Sequence, residues 1–172
     1  MTAVILRDAI ESDFDAIVVL NANEVQHTSA MDVARLRALH ALAWRHVVAE
    51  VDGQVAAFQL VMRDGAAYGN ANFQWFAARY QHFAYVDRIV VGTNWQRLKL
   101  GSRLYDQLID TAREARIGHV TCEYNVVPLN AASERFHGRF GFREVGRQWL
   151  EDGRKQVSMQ LLAVPSAWAL GH

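Results

Sequence analysis

The second half of the chain alternates strand and helix patterns, and this order constrains the fold more than any other feature. Phe83–Val91 predicts a strand, and leucines and alanines between residues 100 and 115 recur on one face of an amphipathic helix. β-branched residues between 119 and 126 predict the next strand. Strands joined by a helical crossover lie parallel in one sheet, so this half predicts a parallel pair.

Hairpin signals elsewhere predict antiparallel strands. Asp52-Gly53 and Asp152-Gly153 are turn dipeptides, each flanked by two β-rich segments. The flanking strands are expected at residues 46–51, 54–63, 143–150 and 155–162, a first strand at 4–7, and helices at 11–22, 32–43 and 130–140. The combination predicts an α/β fold with a mixed, mostly antiparallel central sheet of six to seven strands and about four flanking helices.

The chain shows no internal repeat, no low-complexity segment and no proline-rich linker among its 172 residues. We therefore predict a single domain over residues 1–172, with a core at about 4–162 and a short C-terminal tail at 163–172.

Charge and cysteine content exclude several classes of function. The 18 basic residues balance the 18 acidic ones, whereas binding to nucleic acid or to an anionic membrane depends on a surplus of positive charge. A single cysteine, Cys122, excludes an internal disulfide and suits a reducing compartment. The histidines show no metal-like spacing. We expect a soluble cytoplasmic protein with no nucleic-acid partner, no membrane partner and no metal.

The junction between the predicted strand at 83–91 and the following helix is suited to bind a phosphate group. A strand that feeds a turn and then a helix directs unpaired backbone N–H groups at one point, where the helix dipole adds positive charge. Between Thr93 and Tyr105 the charged residues are Arg97, Lys99 and Arg103, with no acid among them. One pyrophosphate would fit there.

Residues 64–82 form a long connection rich in aromatic side chains. Long loops in compact domains are usually functional or disordered, and aromatic content argues against disorder. We interpret the segment as a substrate-side loop that holds a short helix, with Trp75 and Phe76 as candidate acceptor contacts. The alternative is that these rings only close one end of the sheet.

Two motifs carry a family resemblance. Gln96 and Gly101 match the first and last positions of the pattern Q/R-x-x-G-x-G/A, with Lys99 in place of its first glycine, and the segment 130–142 is similar to N-x-x-A-x-x-[LF]-Y-x-x-x-G-F. In this order and spacing they resemble the GCN5-related N-acetyltransferase (GNAT) superfamily. The segment 83–91 and Cys122-Glu123 are similar to an uncharacterised bacterial branch of it.

The resemblance implies the GNAT fold, in which the parallel strands 4 and 5 splay apart and acetyl-CoA lies between them. Lys99 would either point outward or reach a phosphate, since it replaces a glycine that leaves room for the ligand. The implied cofactor-binding residues are Ile89, Val90, Val91, Gln96, Arg97, Leu98, Lys99, Leu100, Gly101, Ser102, Asn130, Ser133 and Phe136.

The resemblance also implies three catalytic candidates. His137 stands where a tyrosine commonly protonates the CoA sulfur, so it is either a general acid or a histidine that contacts CoA or solvent. Glu123 lies on the polar side of its strand and is either the base or half of an ion pair with an arginine such as Arg88. Asp87 competes for the role of base, acting through a relaying water because its side chain is shorter than that of glutamate, with an arginine ion pair as its alternative.

The acceptor pocket is expected to include Tyr85, Tyr124 and Asn125 beside Trp75 and Phe76. The predicted activity is that of an acetyl-CoA-dependent N-acetyltransferase, which acts on the primary amine of a small molecule or amino acid by direct attack in a ternary complex. The alternative is a non-catalytic acyl-CoA-binding sensor with the same fold. A homodimer through the last two strands and the tail, with Trp168 and Leu170, is also expected.

Overall fold

The computed structural model describes residues 2–24 and 28–166, which form seven strands and five α-helices. The strands are β1 (Val4–Asp8), β2 (Arg45–Val51), β3 (Gln54–Arg63), β4 (Phe83–Val91), β5 (His119–Val127), β6 (Arg143–Leu150) and β7 (Lys155–Ala163). The helices are α1 (Phe14–Ala22), α2 (Val33–Leu42), α3 (Ala71–Ala77), α4 (Leu100–Glu114) and α5 (Ala131–Phe140). Short 3₁₀ turns precede α1 and α4 and connect β6 to β7.

The strands form one mixed sheet in the order β1-β2-β3-β4-β5-β7-β6. Every neighbouring pair is antiparallel except β4 and β5. These two strands are parallel because α4 returns the chain to the end of the sheet at which β4 begins. The predicted fold class is confirmed, and the short helix expected within residues 64–82 is α3.

Strands β4 and β5 pair over only three residues each. The register runs from Phe83 opposite His119 to Tyr85 opposite Thr121 and then stops, although both strands continue. On its other side β4 stays paired with β3 as far as Val91. One backbone edge of β4 therefore faces an open cleft instead of a neighbouring strand.

A β-bulge interrupts β4 at Asp87. Leu60 of β3 pairs with Arg88 and the next β3 residue pairs with Val86, so Asp87 has no residue opposite it. In a regular strand Ile89 would share a face with Phe83, but the extra residue reverses the alternation. Ile89 instead packs in the cluster on the other face of the sheet.

Helices cover both faces of the sheet. Helices α1, α2 and α3 bury one face, where the rings of Phe73 and Phe76 pack against Phe83 and Tyr85 of β4. Helix α4 buries the opposite face through Leu104 and the other apolar residues of its inner side. The aromatic residues of α3 therefore support the strand that forms one wall of the cleft.

Both ends of α5 follow the capping pattern seen in the sequence. The Asn130 side chain accepts a hydrogen bond from the Ser133 backbone N–H at 3.1 Å, which satisfies one of the free donors of the first turn. Gly141 ends the helix in the left-handed conformation, with φ at 98°.

Strand β6 lies at one edge of the sheet, where Trp149 is 54% exposed. The predicted dimer contact would fall on this edge, and its tail component, Trp168 and Leu170, lies outside the described residues. Across residues 2–24 and 28–166, no helix combines the length and the apolar character needed to cross a bilayer.

Helix α3 packs closely against β6 at Gly146. A Cβ atom on Gly146 would clash with Cζ2 of Trp75, because it would lie closer than two carbon atoms can approach without displacement. The Arg79 guanidinium also packs over the Trp75 ring, 4.0 Å from the ring centroid. The glycine therefore permits the contact between α3 and the edge strand.

We expect Gly146→Ala to lower the free energy of unfolding by about 1 to 3 kcal/mol, the usual cost of overpacking. Gly138→Ala is the matched control, because nothing lies within 4 Å of its added Cβ and alanine favours the helix there. Urea unfolding of both variants measures the difference. Equal stability of the two would contradict the close packing of Trp75 on β6.

Candidate active site

The cleft between β4 and β5 opens into a cavity of about 720 Å³. Its lining comes from β4 beyond Tyr85, the first turn of α4, the middle of β5 and one face of α5. Residues of the segment that follows α1, including Glu24 and Ser29, also line the cavity. The cavity thus has a helix N-terminus at one end and side chains of the sheet at the other.

The first turn of α4 presents free backbone donors to this cavity. Arg103 is the first residue of the helix whose N–H can reach a carbonyl one turn back, donating to Lys99 O at 3.1 Å. The N–H groups of Leu100, Gly101 and Ser102 precede it, and all three residues line the cavity. Free backbone N–H groups at the N-terminus of a 15-residue helix fit the pyrophosphate of a nucleotide cofactor.

Lys99 adopts the left-handed conformation, with φ at 55° and ψ at 39°. This explains why a glycine is usual at this position of the motif, since a side chain there costs about 1 kcal/mol. Lys99 is exposed and lines the cavity beside the free donors of α4. Its positive charge therefore adds to the field of the helix terminus.

Gly101 allows α4 and α5 to approach each other. A Cβ at this position would lie 3.3 Å from Cζ of Phe136, so a side chain would press on the aromatic ring. The last glycine of the motif thus serves helix packing as well as access to the backbone.

The structure places most of the predicted cofactor-binding residues in the lining of the cleft and leaves two of them outside it. Arg97 and Leu98 do not line the cavity, because the 3₁₀ turn before α4 directs them elsewhere. Arg97 is exposed, and Leu98 packs against the cluster of β2, β3 and α4. The predicted residues that do line it are Ile89, Val90, Val91, Gln96, Lys99, Leu100, Gly101, Ser102, Asn130, Ser133 and Phe136.

Glu123 carries a buried carboxyl at the inner end of the cleft. Its Oε1 accepts a hydrogen bond from the Tyr85 hydroxyl at 2.9 Å, while Oε2 is buried and has no hydrogen-bond partner among the described residues. Burial raises the pKa of Glu123 to about 8, and the Tyr85 hydrogen bond opposes this increase. The carboxyl therefore exchanges its proton close to neutral pH.

Asp87 has partners for both of its carboxylate oxygens. Oδ1 accepts a hydrogen bond from the Tyr68 hydroxyl at 2.5 Å, and Oδ2 accepts one from Arg88 Nε at 2.8 Å. The Asp87 and Arg88 side chains are only 3% and 6% exposed, so the two charges compensate each other in the interior. The arginine comes from the same strand, because the bulge brings consecutive side chains together.

Arg88 also joins β4 to the end of α1 and to the segment that follows this helix. Its Nη1 donates to Asn21 Oδ1 and to the Ser29 carbonyl, each at 3.1 Å. The predicted alternative for Glu123, an ion pair with Arg88, is therefore wrong, because Arg88 is directed at Asp87 and this segment.

His137 is buried on α5 with both ring nitrogens hydrogen-bonded. Nδ1 lies 2.8 Å from the Ser133 carbonyl oxygen, which can only accept, so Nδ1 carries the hydrogen. Nε2 then accepts a hydrogen bond from the Tyr105 hydroxyl at 2.9 Å. Burial lowers the pKa of His137, so the ring is neutral near neutral pH.

The predicted acceptor contacts separate into two groups. Tyr124 and Asn125 line the cavity, and the Tyr124 ring stacks on His137 with centroids 5.9 Å apart. Tyr85 lies behind Glu123, fully buried. Trp75 and Phe76 line no part of the cavity, so their prediction as acceptor contacts is corrected to packing against β6 and within the core.

Sequence reasoning missed several residues of the cleft. Tyr105 follows Leu104 in α4, and its place in the sequence pattern is that of an ordinary core residue. Asn72 lies in a sequence segment whose composition is typical of a loop. Both line the cavity, as do Arg88 and Lys155. Nothing in the local sequence pattern distinguishes these residues from ordinary core or loop residues, because each reaches the cleft through contacts with residues distant in sequence. Within the described ranges no group of three or more metal-binding side chains occurs.

A mixed sheet whose parallel pair splays beside a helix N-terminus is the architecture of the GNAT acetyltransferases. The model of the Acetyltransferase (GNAT) family matches residues 16–142, which is most of the chain, and the chain belongs to this family. A search of curated proteins finds no match.

Solved structures show the same fold at low sequence identity. Ard1 from Thermoplasma volcanium is 19% identical with a TM-score of 0.75, over 95% of this chain and 99% of the other. The ribosomal-protein-S18-alanine N-acetyltransferase from Escherichia coli is 18% identical with a TM-score of 0.72, over 96% of both chains. The yncA protein from Salmonella typhimurium, solved with its cofactor acetyl-CoA, is 22% identical with a TM-score of 0.69, over 95% of both chains.

The raised pKa of Glu123 makes stability depend on pH in a defined direction. Unfolded Glu123 ionises near pH 4.5 and folded Glu123 near 8, so its contribution to stability is fully present below pH 4.5 and is lost as pH rises through 8. We expect Glu123→Gln to match the wild type at pH 4, where Glu123 is mostly protonated in both the folded and the unfolded state, and to exceed it by at least about 1 kcal/mol at pH 8.5. Urea unfolding at both pH values measures this, and a pH-independent difference would contradict the buried carboxyl.

Proposed function

We propose that this protein is an acetyl-CoA-dependent N-acetyltransferase that acts on a primary amine by direct attack in a ternary complex. The observation that carries the proposal is Glu123, a buried carboxyl with one unpartnered oxygen, placed in the same cleft as the free donors of α4. A base and an anion-binding helix terminus in one cavity suit transfer of an acyl group from a phosphate-bearing thioester.

The residues of the cleft fit acetyl-CoA, which supplies an activated acetyl group when bound. The N–H groups of Leu100, Gly101 and Ser102, with the Lys99 charge, would hold the pyrophosphate. The open backbone edge of β4 beyond Tyr85 offers hydrogen-bonding groups to the amides of the pantetheine arm.

Glu123 would act as the base. An amine acceptor is largely protonated at neutral pH and must lose a proton before its nitrogen can attack, and a carboxyl with a pKa of about 8 is matched to that transfer. The nitrogen then bonds to the acetyl carbon as the carbon–sulfur bond breaks, and a second proton completes the thiol. Asp87 is less suited to this role, because both of its oxygens already accept hydrogen bonds.

The source of the thiol proton is the second part of the proposal. His137 is the predicted acid, but its Nδ1 hydrogen is donated to Ser133 and its Nε2 accepts from Tyr105. The ring becomes a donor at Nε2 only after it gains a proton, which burial opposes. The acid role of His137 therefore stays a prediction, with direct release of the thiolate as its alternative.

The proposed acceptor is the primary amine of a small molecule or amino acid. The balanced charge of the chain supports this over a nucleic-acid-bound target, and the polar side chains of Asn72, Asn125 and Tyr124 at the inner end of the cleft suit a compact polar molecule. The Escherichia coli relative, named for acetylation of an alanine amine, supports N-acetylation as the reaction class.

One continuous sheet from β1 to β7 supports the proposal of a single domain. The buried, free Cys122 supports the proposed cytoplasmic location, since it makes no disulfide. A homodimer through the β6 edge is likewise a proposal.

The test measures acetyl-CoA binding by thermal shift and then CoA thiol release with a panel of amino acids and small amines. We expect acetyl-CoA to raise Tm, thiol release with at least one amine, and a rate at pH 7 about 100-fold lower for Glu123→Gln. Glu114→Gln, an exposed carboxyl at the end of α4, is the matched control and should keep the wild-type rate.

Two outcomes would change the assignment. A clear thermal shift without thiol release from any amine would favour the acyl-CoA-binding sensor over the enzyme. A larger loss with Asp87→Asn than with Glu123→Gln, in folded variants, would transfer the role of base to Asp87.

The acid role is tested with His137→Phe, which keeps an aromatic ring against Tyr124 and removes the nitrogens. If His137 supplies the thiol proton, kcat should fall about 10-fold or more, because loss of general acid catalysis slows departure of the thiolate. The measurement is kcat from pH 6 to 9, with Phe140→Leu on the same helix as a packing control. Unchanged kcat throughout this range would remove His137 from the chemistry.

A further inference from the structure

The cavity reaches both faces of the sheet. Phe136 lines it on the face covered by α4 and α5, next to the free donors of the α4 N-terminus. Arg88 lines it on the opposite face, where its side chain contacts Asn21 of α1. Glu123 lies on this second face as well, since it is hydrogen-bonded to Tyr85 of the core beneath α1 and α3. With the phosphates at the α4 terminus, the acceptor therefore meets Glu123 on the side where Arg88 lies.

Arg88 is a buried cation, with a side chain that is only 6% exposed. A guanidinium carries five N–H donors, one at Nε and two at each of Nη1 and Nη2. Nε donates to Asp87 at 2.8 Å. Nη1 faces three acceptors at 3.1 to 3.3 Å, which are the side chains of Asn21 and Thr28 and the carbonyl of Ser29. These contacts hold the group in a fixed orientation and occupy Nε and Nη1.

The remaining nitrogen, Nη2, has no hydrogen-bond partner across residues 2–24 and 28–166. A carboxylate beside the Nε and Nη2 edge of an arginine often accepts from both nitrogens. Asp87 accepts from Nε alone, because its other oxygen accepts from the Tyr68 hydroxyl. Buried donors are costly to leave without a partner, and Arg88 lines the cavity. Its two Nη2 donors are therefore left for a group that enters the cavity.

The charges around Arg88 suit an acceptor that carries a carboxylate as well as an amine. Asp87 balances the charge of Arg88, and Glu123 is mostly neutral at pH 7. A protonated amine alone would bring an unbalanced positive charge into this region, whereas an amino acid brings one charge of each sign. Its carboxylate can accept from Nη2 while its ammonium group faces Glu123.

Other basic residues that line the cavity are less suited to hold this carboxylate. Lys99 begins α4 and Arg139 lies on α5, so both belong to the cofactor side, and both are exposed. Lys155 at the start of β7 is half-buried and forms no salt bridge to the described residues. Water competes less for the donors of a buried and fixed guanidinium, so a carboxylate gains more from Arg88 than from these side chains.

We propose that Arg88 binds a carboxylate of the acceptor through Nη2, so that the enzyme acetylates the amine of an amino acid in preference to an amine without a carboxylate. The proposal deepens the proposed function and rests on it, because it concerns the acceptor of the same reaction. Asp87 then orients the guanidinium through Nε and leaves Nη2 to the substrate. The carboxylate takes no part in bond making, so the proton and the acetyl group move as before.

The experiment compares amino acids with their own carboxamides as acceptors in the CoA thiol-release assay at pH 7. The panel holds α-amino and ω-amino acids, so that short and long separations of amine and carboxylate are both sampled. We expect kcat/KM to be about 100-fold higher for the preferred amino acid than for its carboxamide, because the carboxamide loses a charge-assisted hydrogen bond. A neighbouring carboxylate favours protonation of the amine, so amine ionisation alone would give the opposite preference.

Two variants test Arg88 itself. Arg88→Lys keeps a cation beside Asp87 but lacks the planar fork, and Arg88→Met combined with Asp87→Asn removes both charges together. Each should reduce the preference to less than about 5-fold, whereas Asp87→Asn alone should keep it because Nη2 remains. The ratio is taken within one variant, so a general loss of activity cancels. If Arg88→Lys unfolds, the charge-neutral pair decides the question.

Arg63→Lys is the matched control. Arg63 also pairs with the residue that follows or precedes it on a strand, here Asp64, but it lies outside the lining of the cavity. This variant should keep the wild-type preference. A merely structural role of Arg88 would lower Tm and both rates alike, without a change in their ratio.

Equal kcat/KM for amino acids and carboxamides in the wild type would overturn the proposal and leave the proposed function standing. A preference that survives in folded Arg88→Lys and in the charge-neutral pair would also overturn it. So would a preference that is lost with Lys155→Met and kept without Arg88.

Binding of the same acids and carboxamides to the CoA-saturated protein is measured by titration calorimetry, which needs no turnover. Thiol release from no amine would overturn the proposed function, while calorimetry would still decide whether Arg88 holds a carboxylate. Binding of an amino acid at least about 10-fold tighter than its carboxamide, and lost in Arg88→Lys, would support the carboxylate site. Equal binding of acid and carboxamide would overturn it.

Discussion

The end of pairing between β4 and β5 is the constraint on which the rest of the site depends. After Tyr85 and Thr121 the two strands share no hydrogen bonds, so a parallel sheet that would otherwise be closed opens at its centre. Antiparallel partners on the outer side of each strand hold the opening in place. Helix α4 begins at its mouth because the crossover must start where β4 ends. The fold thus positions backbone donors and a cleft together.

The opening also places ionisable side chains in the interior, where their charges must be paired or neutralised. The bulge at Asp87 brings two consecutive side chains to the same region, and their ion pair is almost fully buried. Glu123 has no such cation in hydrogen-bond contact, so burial makes it prefer the protonated form up to about pH 8. Two carboxyls on neighbouring strands thereby acquire different roles: one holds the architecture, and the other can exchange a proton.

Much of this could be predicted from the sequence, and what could not has a common cause. The strands, the helices and the mixed sheet follow from local periodicity and from turn dipeptides such as Asp52-Gly53, and Asn130 and Gly141 mark the ends of α5. The bulge could not be predicted, because Asp87 fits strict alternation equally well. Asn72 and Tyr105 were missed because their positions in the cleft depend on contacts with Gln148 and His137, which lie far away in the sequence.

Zero net charge conceals a division of charge along the cleft. At the mouth, the N-terminus of α4 and Lys99 provide positive potential, and the first turn of α4 carries no acidic residue, which suits a phosphate group. At the inner end, Asp87 neutralises Arg88, and burial favours the neutral form of Glu123. A positively charged amine that enters beside Glu123 would favour ionisation of the carboxyl, so the acceptor itself would help to prepare its base. In the proposed function, this division would place the phosphate group and the amine at opposite ends of one cavity without any excess charge on the chain.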